Sequence, residues 1–258
     1  MKLLDLTFPT PAENLACDEA LLDWCEDQAG LGVLRFWEPQ EYFVVLGYSN
    51  RAAREVDVAA CRHRAIPILR RCTGGGTVLQ GPGCLNYSLI LRIDSNPALE
   101  TVTGTNRFIL ERNRAALEAI LVRSSRSKEA LSFKSEIRNP KTEIFVRGHT
   151  DLAIDGRKFS GNAQRRKRRA VLFHGTFLLR VELGLMSELL AMPSKEPDYR
   201  KHRSHGQFLM NLAVPAHELR SALRQVWSAI EEFKGLPEEQ TRKLAGEKYS
   251  TDAWNLKF

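Results

Sequence analysis

Short apolar runs rich in β-branched and aromatic residues are interleaved irregularly with helical patterns along the chain. The runs predict strands at Lys2–Phe8, Val33–Trp37, Tyr42–Leu46, Ala65–Leu69, Leu85–Ile93, Glu143–Val146, Asp151–Ile154, Ala170–Phe173 and Thr176–Val181. Apolar residues at helical spacing predict helices at Ala12–Glu26, Asn106–Val122, Leu185–Ala191, Ala216–Phe233 and Glu238–Glu247. Strands outnumber helices without strict alternation, which disfavours a doubly wound parallel sheet. The pattern predicts an α+β fold with mixed β-sheets flanked by helices.

No internal repeat, low-complexity linker or composition break divides the chain, so we expect one domain over residues 1–258. Two polar segments, Arg123–Asn139 and Met192–Gly206, are expected to be irregular. No apolar run approaches the roughly 18–20 residues of a membrane span, and the N-terminus lacks the pattern of a signal peptide. The sequence predicts a cytoplasmic protein without membrane contact.

The five cysteines are odd in number and form no Cys-x-x-Cys pair, which predicts reduced thiols rather than a disulfide framework. No set of protein residues suggests a metal site. The net charge of +7 has one source, because the segment Arg157–Arg169 holds seven basic residues and no acid. Such a concentrated field suits an anionic small molecule, an acidic protein partner or a nucleic acid. A solvated basic loop without a specific partner is the alternative interpretation.

A glycine-rich segment, Arg70–Val78, follows a predicted strand and contains three consecutive glycines. Glycines allow positive φ and close approach of the backbone to a ligand, and successive N–H groups can converge on an anion. The segment matches neither the P-loop nor the dinucleotide-binding fingerprint. A plain hairpin turn remains the alternative.

A second cluster is built around Asp155-Gly156, a strong signal for a two-residue hairpin turn. The turn would place Lys158 on a strand, with small neighbours that leave room beside its ammonium for a ligand. A strand lysine with a packed stem and a solvated head is the alternative. His174 lies at a junction between predicted strands, where a structural role competes with a catalytic one.

The order and spacing of several motifs resembles the lipoate–protein ligase A family, within the wider group of biotin and lipoate protein ligases. The motifs are Asn14-Leu15-Ala16, Asp18-Glu19, Phe36-Trp37, Val44-Val45-Leu46-Gly47, Arg70-Arg71-x-Thr73-Gly74-Gly75-Gly76-Thr77-Val78, Thr150-Asp151-Leu152, Lys158-x-Ser160-Gly161-Asn162-Ala163-Gln164 and His174-Gly175-Thr176. The resemblance runs from residue 3 to about 182, with a weaker match at Tyr249–Asn255. It implies the biotin/lipoate ligase catalytic-domain fold, without the C-terminal accessory domain of larger lipoate ligases.

The resemblance implies a two-step reaction. Lipoate and Mg-ATP would form lipoyl-AMP and pyrophosphate, and the lipoyl group would then pass to a lysine of a lipoyl-acceptor domain. The acceptor would be a 2-oxoacid dehydrogenase E2 domain or a glycine-cleavage H protein, whose acidic surface would dock on Arg165–Arg169. The resemblance therefore predicts ATP, Mg²⁺ and lipoate as ligands, and it leaves room for a separate small accessory polypeptide in the adenylation step.

By the same resemblance, Lys158 is the catalytic residue, which touches the acyl carbonyl and the phosphate and offsets their developing charge. The residues expected to bind ATP or lipoyl-AMP with Lys158 are Arg71, Gly75, Gly76, Thr77, Val78, Leu79, Asp151, Asn162 and Ala163. Further candidates are His174, Gln80 and Arg70.

Two departures from the family pattern keep other functions open. Gln80 stands where many members have histidine, and Cys84 occupies a position that is not usually cysteine. The first alternative is an ATP-independent octanoyl or lipoyl transferase of the same fold that uses a cysteine thioester. Those branches place their cysteine either ahead of the Asp151–Ile154 strand or well after the site lysine, whereas this chain has none beyond Cys84. Cys72 and Cys84, near the glycine loop, keep this alternative open. The second alternative, a nucleic-acid-binding protein, is disfavoured because Phe159 is the sole aromatic residue in the basic segment.

Overall fold

The computed structural model describes residues 1–28, 32–131 and 143–258, and the strands of these ranges form two sheets. The strands are β1 (Lys2–Asp5), β2 (Val33–Trp37), β3 (Phe43–Leu46), β4 (Ile68–Arg70), β5 (Val78–Gln80), β6 (Cys84–Arg92), β7 (Phe145–Arg147), β8 (Asp151–Ile154), β9 (Arg157–Arg166), β10 (Ala170–Leu178) and β11 (Glu231–Glu232). The large sheet has the order β11-β1-β2-β6-β10-β9-β8-β7, and the small sheet has the order β4-β3-β5. Both sheets are mixed, since β1 pairs in parallel with β2 and β11, and β3 in parallel with β4.

The helices cover both faces of the large sheet. They are α1 (Pro11–Asp27), α2 (Ala52–Glu55), α3 (Val58–His63), α4 (Val102–Leu131), α5 (Leu183–Leu189), α6 (His205–Phe208), α7 (Ala216–Val226), α8 (Glu238–Leu244) and α9 (Asp252–Asn255). Short 3₁₀ turns lie at Ile93–Ser95, Pro97–Leu99 and Asp198–Arg200, and a π-helical turn at Ala245–Tyr249. In the part of the chain that the structure covers, no helix is both long and apolar enough to cross a membrane.

Alternation along β6 and β10 separates the two faces of the large sheet. On the α4 face, Tyr87, Phe173 and Phe177 join the main apolar core with residues of α4 and α7. On the opposite α1 face, Ile90 and Leu172 pack against Leu21 and other apolar residues of α1. The small sheet packs against the N-terminal half of α1 in a further apolar cluster. The predicted α+β architecture with mixed sheets is confirmed.

Helix α1 begins where the sequence predicts and carries polar residues into the interior. Thr10 caps it with a capping box to Glu13, and Pro11 occupies the first turn. Asn14, Asp18 and Glu19 are buried against the α1 face of the sheet rather than exposed. These buried polar groups bind side chains on the strands next to the candidate site.

Two predicted element boundaries are shifted in the structure, and one predicted loop is irregular as expected. Helix α4 continues to Leu131, so the loop expected at Arg123–Asn139 is helical in its first part, and residues 132–139 lie outside the described residues. Helix α7 stops at Val226 because the chain turns through a left-handed Ser228, and the next residues form the edge strand β11. The expected loop at Met192–Gly206 is irregular apart from its 3₁₀ turn and the start of α6.

Strand β10 is continuous where two strands were expected. Gly175 lies in its middle, and a Cβ there would come within 1.7 Å of Asn162 Oδ1 on β9. Strand β9 extends to Arg166, so most of the basic segment is strand rather than solvated loop. Strand β5 and helices α2 and α3 are too short to give a periodic signal, and the sequence did not predict them.

Candidate active site

A tight hairpin and a β-bulge set the position of Lys158. Asp155 and Gly156 have φ of 50° and 70°, the two positive values that a type I′ turn requires. In the β8–β9 ladder Leu152 pairs with Ser160 but Ala153 pairs with Lys158, so Phe159 has no opposite residue. Such an extra residue redirects the neighbouring side chains. The predicted strand position of Lys158 is confirmed, and the bulge turns its side chain to the α1 face.

The Lys158 ammonium lies over a gap left by a glycine. Its Nζ is 2.7 Å from Asp151 Oδ1 and 2.7 Å from the point where a Cβ on Gly161 would be. Asp151 and Gly161 are cross-strand partners, and cross-strand partners share a face of the sheet. Gly161 therefore provides the space that the lysine head occupies, and Lys158 and Asp151 form a partly exposed ion pair.

Arg71 holds the glycine loop (Thr73–Val78) from within. Its guanidinium donates to Thr73 Oγ1 at 2.9 Å, to Gly74 O at 2.6 Å and to Gly76 O at 2.7 Å. Burial lowers the pKa of Arg71 to about 10, which still leaves the group charged at neutral pH. The loop is thus built around a buried cation, while its glycines remain exposed.

The glycine loop and the lysine face the same space above β9. Gly75 has φ +88°, and a Cβ there would be 2.9 Å from Arg71 Nη2 and 3.7 Å from Ala163 Cβ. Ala163 lies two residues beyond Gly161 on the same face, about 7 Å along the strand. A ligand lying along β9 between Gly161 and Ala163 would contact both the loop and the Lys158 ammonium.

A buried hydrogen-bonded chain connects α1 to the glycine loop. Asp18 accepts from Arg35 at 2.7 Å and from Ser88 at 2.8 Å, and its Oδ2 lies 3.2 Å from His174 Nδ1. His174 Nε2 is 2.7 Å from Thr73 Oγ1. Because the ionised Asp18 carboxylate can only accept, His174 donates from Nδ1 to Asp18.

The charged groups of this hydrogen-bond network favour the ionised form of the Asp18 carboxyl. Burial alone would raise the pKa of its carboxyl, but the Arg35 guanidinium and the hydrogen bond from His174 outweigh burial and lower it. His174, a further candidate from sequence, therefore supports the loop from behind through Thr73. Asp18, Arg35 and Thr73 were not among the expected site residues, although Asp18 and Thr73 belong to the motifs that carried the resemblance.

Three other expected residues have structural partners. Arg70 is buried and donates to backbone carbonyls that join the turn after β3 to α9. Gln80 completes a closed triangle of hydrogen bonds with Thr176 and Asn86. The Asn162 side chain lies on the α4 face, where it accepts from Tyr87 and donates to the Thr150 carbonyl.

The remaining expected residues, Thr77, Val78 and Leu79, follow the glycines and lead into the small sheet. Val78 and Leu79 belong to β5, which pairs with β3, and Leu79 is buried. The Oγ1 atom of Thr77 is buried and has no hydrogen-bond partner among the described residues. Backbone groups of this stretch, rather than its apolar side chains, are what a ligand could use.

The basic segment is largely neutralised by the protein itself. Arg165 pairs with Glu19, Lys167 with Asp23 and Arg169 with Glu26, all acids of α1. Arg166 donates to backbone carbonyls next to α4 at Leu99 and Glu100. Four of the five residues of the expected docking segment Arg165–Arg169 are therefore occupied by internal partners, which weakens the basis for an acidic acceptor binding there.

All five cysteines lie within the described residues and all are buried. Burial raises the pKa of Cys72 to about 11 and that of Cys84 to about 12, so both thiols are protonated at neutral pH. A thiol in this state is a poor nucleophile. Among the described residues, no group of three or more acidic, histidine or cysteine side chains is arranged to hold a metal ion.

Comparison with known proteins places this arrangement in one family. The sequence profile of the lipoyl protein ligase A/B catalytic domain matches residues 10–227. The chain belongs to the lipoyl protein ligase A/B family. The resemblance that the motifs indicated is confirmed. Motifs of the matched region meet at the candidate site, on the glycine loop, β9 and β10.

Individual relatives carry two different activities in their names. The octanoyltransferase LipM of Geobacillus kaustophilus (strain HTA426) is 31% identical, over 99% of this chain and 98% of that protein. A bi-partite lipoate protein ligase of Thermoplasma acidophilum, described with its E2 lipoyl domain, superposes with a TM-score of 0.78 at 26% identity, covering 99% of this chain and 95% of that chain. A lipoate-protein ligase A bound with ATP superposes with a TM-score of 0.71 at 26% sequence identity, covering 99% of this chain and 98% of that chain. The chain is similar to both kinds of enzyme along nearly its whole length.

Proposed function

We propose that this protein transfers an octanoyl or lipoyl group from an activated donor to a lysine side chain of an acceptor protein domain. The observation that carries the proposal is the Lys158 ammonium, held by a bulge above Gly161 and facing the glycine loop. A fixed cation at this place would stabilise the oxyanion that forms when an amine attacks the acyl carbonyl. In this role Lys158 acts by its charge and forms no covalent intermediate.

The first candidate for the donor is an acyl thioester, without ATP. The octanoyltransferase LipM relatives, similar over almost the full chain, favour this reaction. A route through an enzyme cysteine has little support, because the thiols are buried and protonated. The reaction is then a direct transfer: the acceptor amine forms a C–N bond to the acyl carbon, the C–S bond breaks, and the proton lost by the amine ends on the departing thiol.

The second candidate is an acyl adenylate made from lipoate and Mg-ATP. The burial of every thiol favours it, as does the similarity to an ATP-bound lipoate-protein ligase A. Lys158 would then neutralise the phosphate as well as the acyl oxygen, and the exposed glycine loop would let a nucleotide approach its backbone. The attacking amine would form the same C–N bond while the C–O bond to AMP breaks.

One experiment separates the two donors. A purified lipoyl domain is incubated with this protein and one of three donors: octanoyl carrier-protein thioester without ATP, lipoate with Mg-ATP, or preformed lipoyl-adenylate. Intact-protein mass spectrometry then detects the addition of one acyl group. Transfer from the thioester alone identifies the octanoyltransferase, and transfer that requires ATP identifies the ligase. No modification of the acceptor lysine with any donor would refute the proposed function.

A further inference from the structure

We propose that Tyr199 is a positioning residue for acyl transfer, whose hydroxyl fixes Asp151 so that this carboxylate aims Lys158 at the acyl group. The inference rests on the proposed function, and it adds a residue from a segment that the sequence predicted to be an irregular loop. Neither the motifs nor the spacing of the chain pointed to it.

The hydrogen bonds divide the two oxygens of Asp151 between two partners. Tyr199 donates its hydroxyl to Asp151 Oδ2 at 2.9 Å, and the Lys158 ammonium lies 2.7 Å from Asp151 Oδ1. Burial, reinforced by the negative charge of Asp151, raises the pKa of Tyr199 above its ordinary value. The phenol therefore stays protonated and acts as a donor. The hydroxyl on Oδ2 fixes the rotation of the carboxylate, so that Oδ1 is the oxygen that lies toward the lysine.

The tyrosine ring is itself held in place by its surroundings. It packs against Phe208 with 5.1 Å between ring centroids. The ring also lies beside the loop before β8, where its Cε1 atom is 3.9 Å from the point at which a Cβ on Gly148 would be, an ordinary van der Waals distance. The position of the hydroxyl is thus set by packing that does not involve Lys158.

An arginine ties this segment to the hairpin that carries Lys158. Arg203 donates to the Gly156 carbonyl in the hairpin turn at 2.8 Å and to the Tyr199 carbonyl at 2.9 Å. The backbone at Tyr199 and the turn of the hairpin therefore share one guanidinium. Tyr199 lies 48 residues after Asp151 in the chain. The Arg203 hydrogen bonds nevertheless hold its backbone next to the hairpin that carries the ion pair.

Loss of the hydroxyl would act through the carboxylate. Without a donor at Oδ2, Asp151 is free to turn both oxygens toward Lys158 and to draw the ammonium toward β8, away from the glycine loop. The charge would then be misplaced relative to the developing oxyanion, while groups that bind the substrate before reaction keep their positions. A residue that acts in this way affects kcat rather than KM.

The test is a double-mutant cycle with Tyr199→Phe and Asp151→Ala, using whichever donor the wild-type protein accepts. Tyr199→Phe is expected to lower kcat about 10-fold, as one lost hydrogen bond does, with KM within about 2-fold. In the Asp151→Ala background the same substitution is expected to have no further effect, because the residue through which it acts is gone. Tyr42→Phe is the matched control: it removes a tyrosine hydroxyl beside Glu182 and should leave kcat unchanged.

A readout independent of acyl transfer separates failure of this inference from failure of the proposed function. After reductive methylation with ¹³C, the dimethyl resonance of Lys158 is identified by its absence in Lys158→Ala. It should move in Tyr199→Phe and stay in place in Tyr42→Phe. An unmoved resonance, or an equal loss of kcat by Tyr199→Phe with and without Asp151, would overturn the positioning role.

Discussion

Two ion pairs lie on the same face of the large sheet. They have the same separation but differ in burial and in the number of further hydrogen-bond partners. Arg35–Asp18 and Lys158–Asp151 are each separated by 2.7 Å. The side chains are 0% and 3% exposed in the first pair, and 24% and 10% in the second. Asp18 has three partners through its two oxygens, and the Arg35 guanidinium also binds Asn14.

The two pairs differ in how many N–H groups of the cation remain without a protein acceptor. Two nitrogens of the Arg35 guanidinium are committed to protein acceptors, so the first pair supports α1, β2 and, through His174, the glycine loop. The Lys158 ammonium has three N–H groups and a partner in Asp151 that takes up one of them at a partly open position. The number of occupied donors, not the length of the ion pair, distinguishes the structural pair from the pair that we propose to act on the acyl group.

The largest effect is expected from Asp18→Ala. Removing one partner of a buried pair leaves Arg35 charged without its carboxylate, which costs about 3–5 kcal/mol of unfolding free energy. Urea unfolding followed by circular dichroism measures the loss. Asp155→Ala, at an exposed turn, is less suitable as a control because of its positive φ, so Asp198→Ala on an exposed 3₁₀ turn serves instead. Equal stability of the two variants would mean that the buried pair contributes nothing.

The same pair predicts acid sensitivity. The pKa of Asp18 is lowered in the folded protein, so its carboxyl binds protons more readily after unfolding. This contribution is fully present above the ordinary aspartate pKa of about 4 and is lost as pH falls below it toward the folded value. The stability of Asp18→Asn should therefore fall less steeply than wild type over that acid range.

Lys158→Ala should have the next largest effect, on rate rather than on stability. Loss of a fixed cation beside a developing oxyanion lowers acyl transfer by about 10²–10³-fold, whereas a partly exposed surface pair contributes at most about 1 kcal/mol to folding. Lys243→Ala, an exposed lysine on α8, is the matched control. Transfer at the wild-type rate by a folded Lys158→Ala protein would remove this residue from the mechanism.

Gly161→Ala should give a smaller loss of rate with little change in stability. The added methyl would meet the end of the Lys158 side chain at 2.7 Å, and that flexible end can move aside. A displacement of the ammonium by about 1 Å lowers the rate by about 10- to 100-fold. Gly184→Ala, where a Cβ would meet nothing within 4 Å, controls for the substitution itself. Unchanged kinetics in Gly161→Ala would show that the lysine does not need this space.

The smallest effects are expected from Cys72→Ala and Cys84→Ala. Each should cost about 1 kcal/mol of stability through lost packing and should leave acyl transfer intact, because neither buried thiol takes part in a direct transfer. Intact-mass analysis of the enzyme after mixing with donor should show no acyl adduct. An acyl-thioester trapped on either cysteine would instead restore the cysteine-dependent transferase mechanism.

Local signals in the sequence predicted the parts of the site that are local in the structure. Asp155-Gly156 gave the hairpin and the strand position of Lys158, and the three glycines gave an exposed loop. The opposite orientation of Asn162 follows from its register on β9, which a motif does not reveal. The role of Tyr199 depends on a contact across 48 residues.

The basic segment is a second case in which contacts between distant parts of the chain could not be predicted from the sequence. Its seven cations suggested an anionic partner, yet the acids that pair with three of them lie on α1, far away in the chain. Net charge along a sequence does not reveal which charges the fold brings together. Periodicity therefore predicted the architecture, and tertiary contacts decided which charges remained available.

The bulge at Phe159 makes the length of a short stretch as important as its composition. Side chains of a regular strand alternate between faces, so residues three apart, such as Lys158 and Gly161, would lie on opposite faces. The extra residue of the bulge brings both to the α1 face; without it, the same spacing would send the lysine into the apolar core beneath α4. A relative with one residue fewer in this stretch would keep its lysine on the α1 face through a regular strand, so a one-residue gap in an alignment would mark the loss of the bulge and not the loss of the lysine's orientation. At the spacing of this chain, the extra residue thus determines the face of the sheet on which the lysine lies.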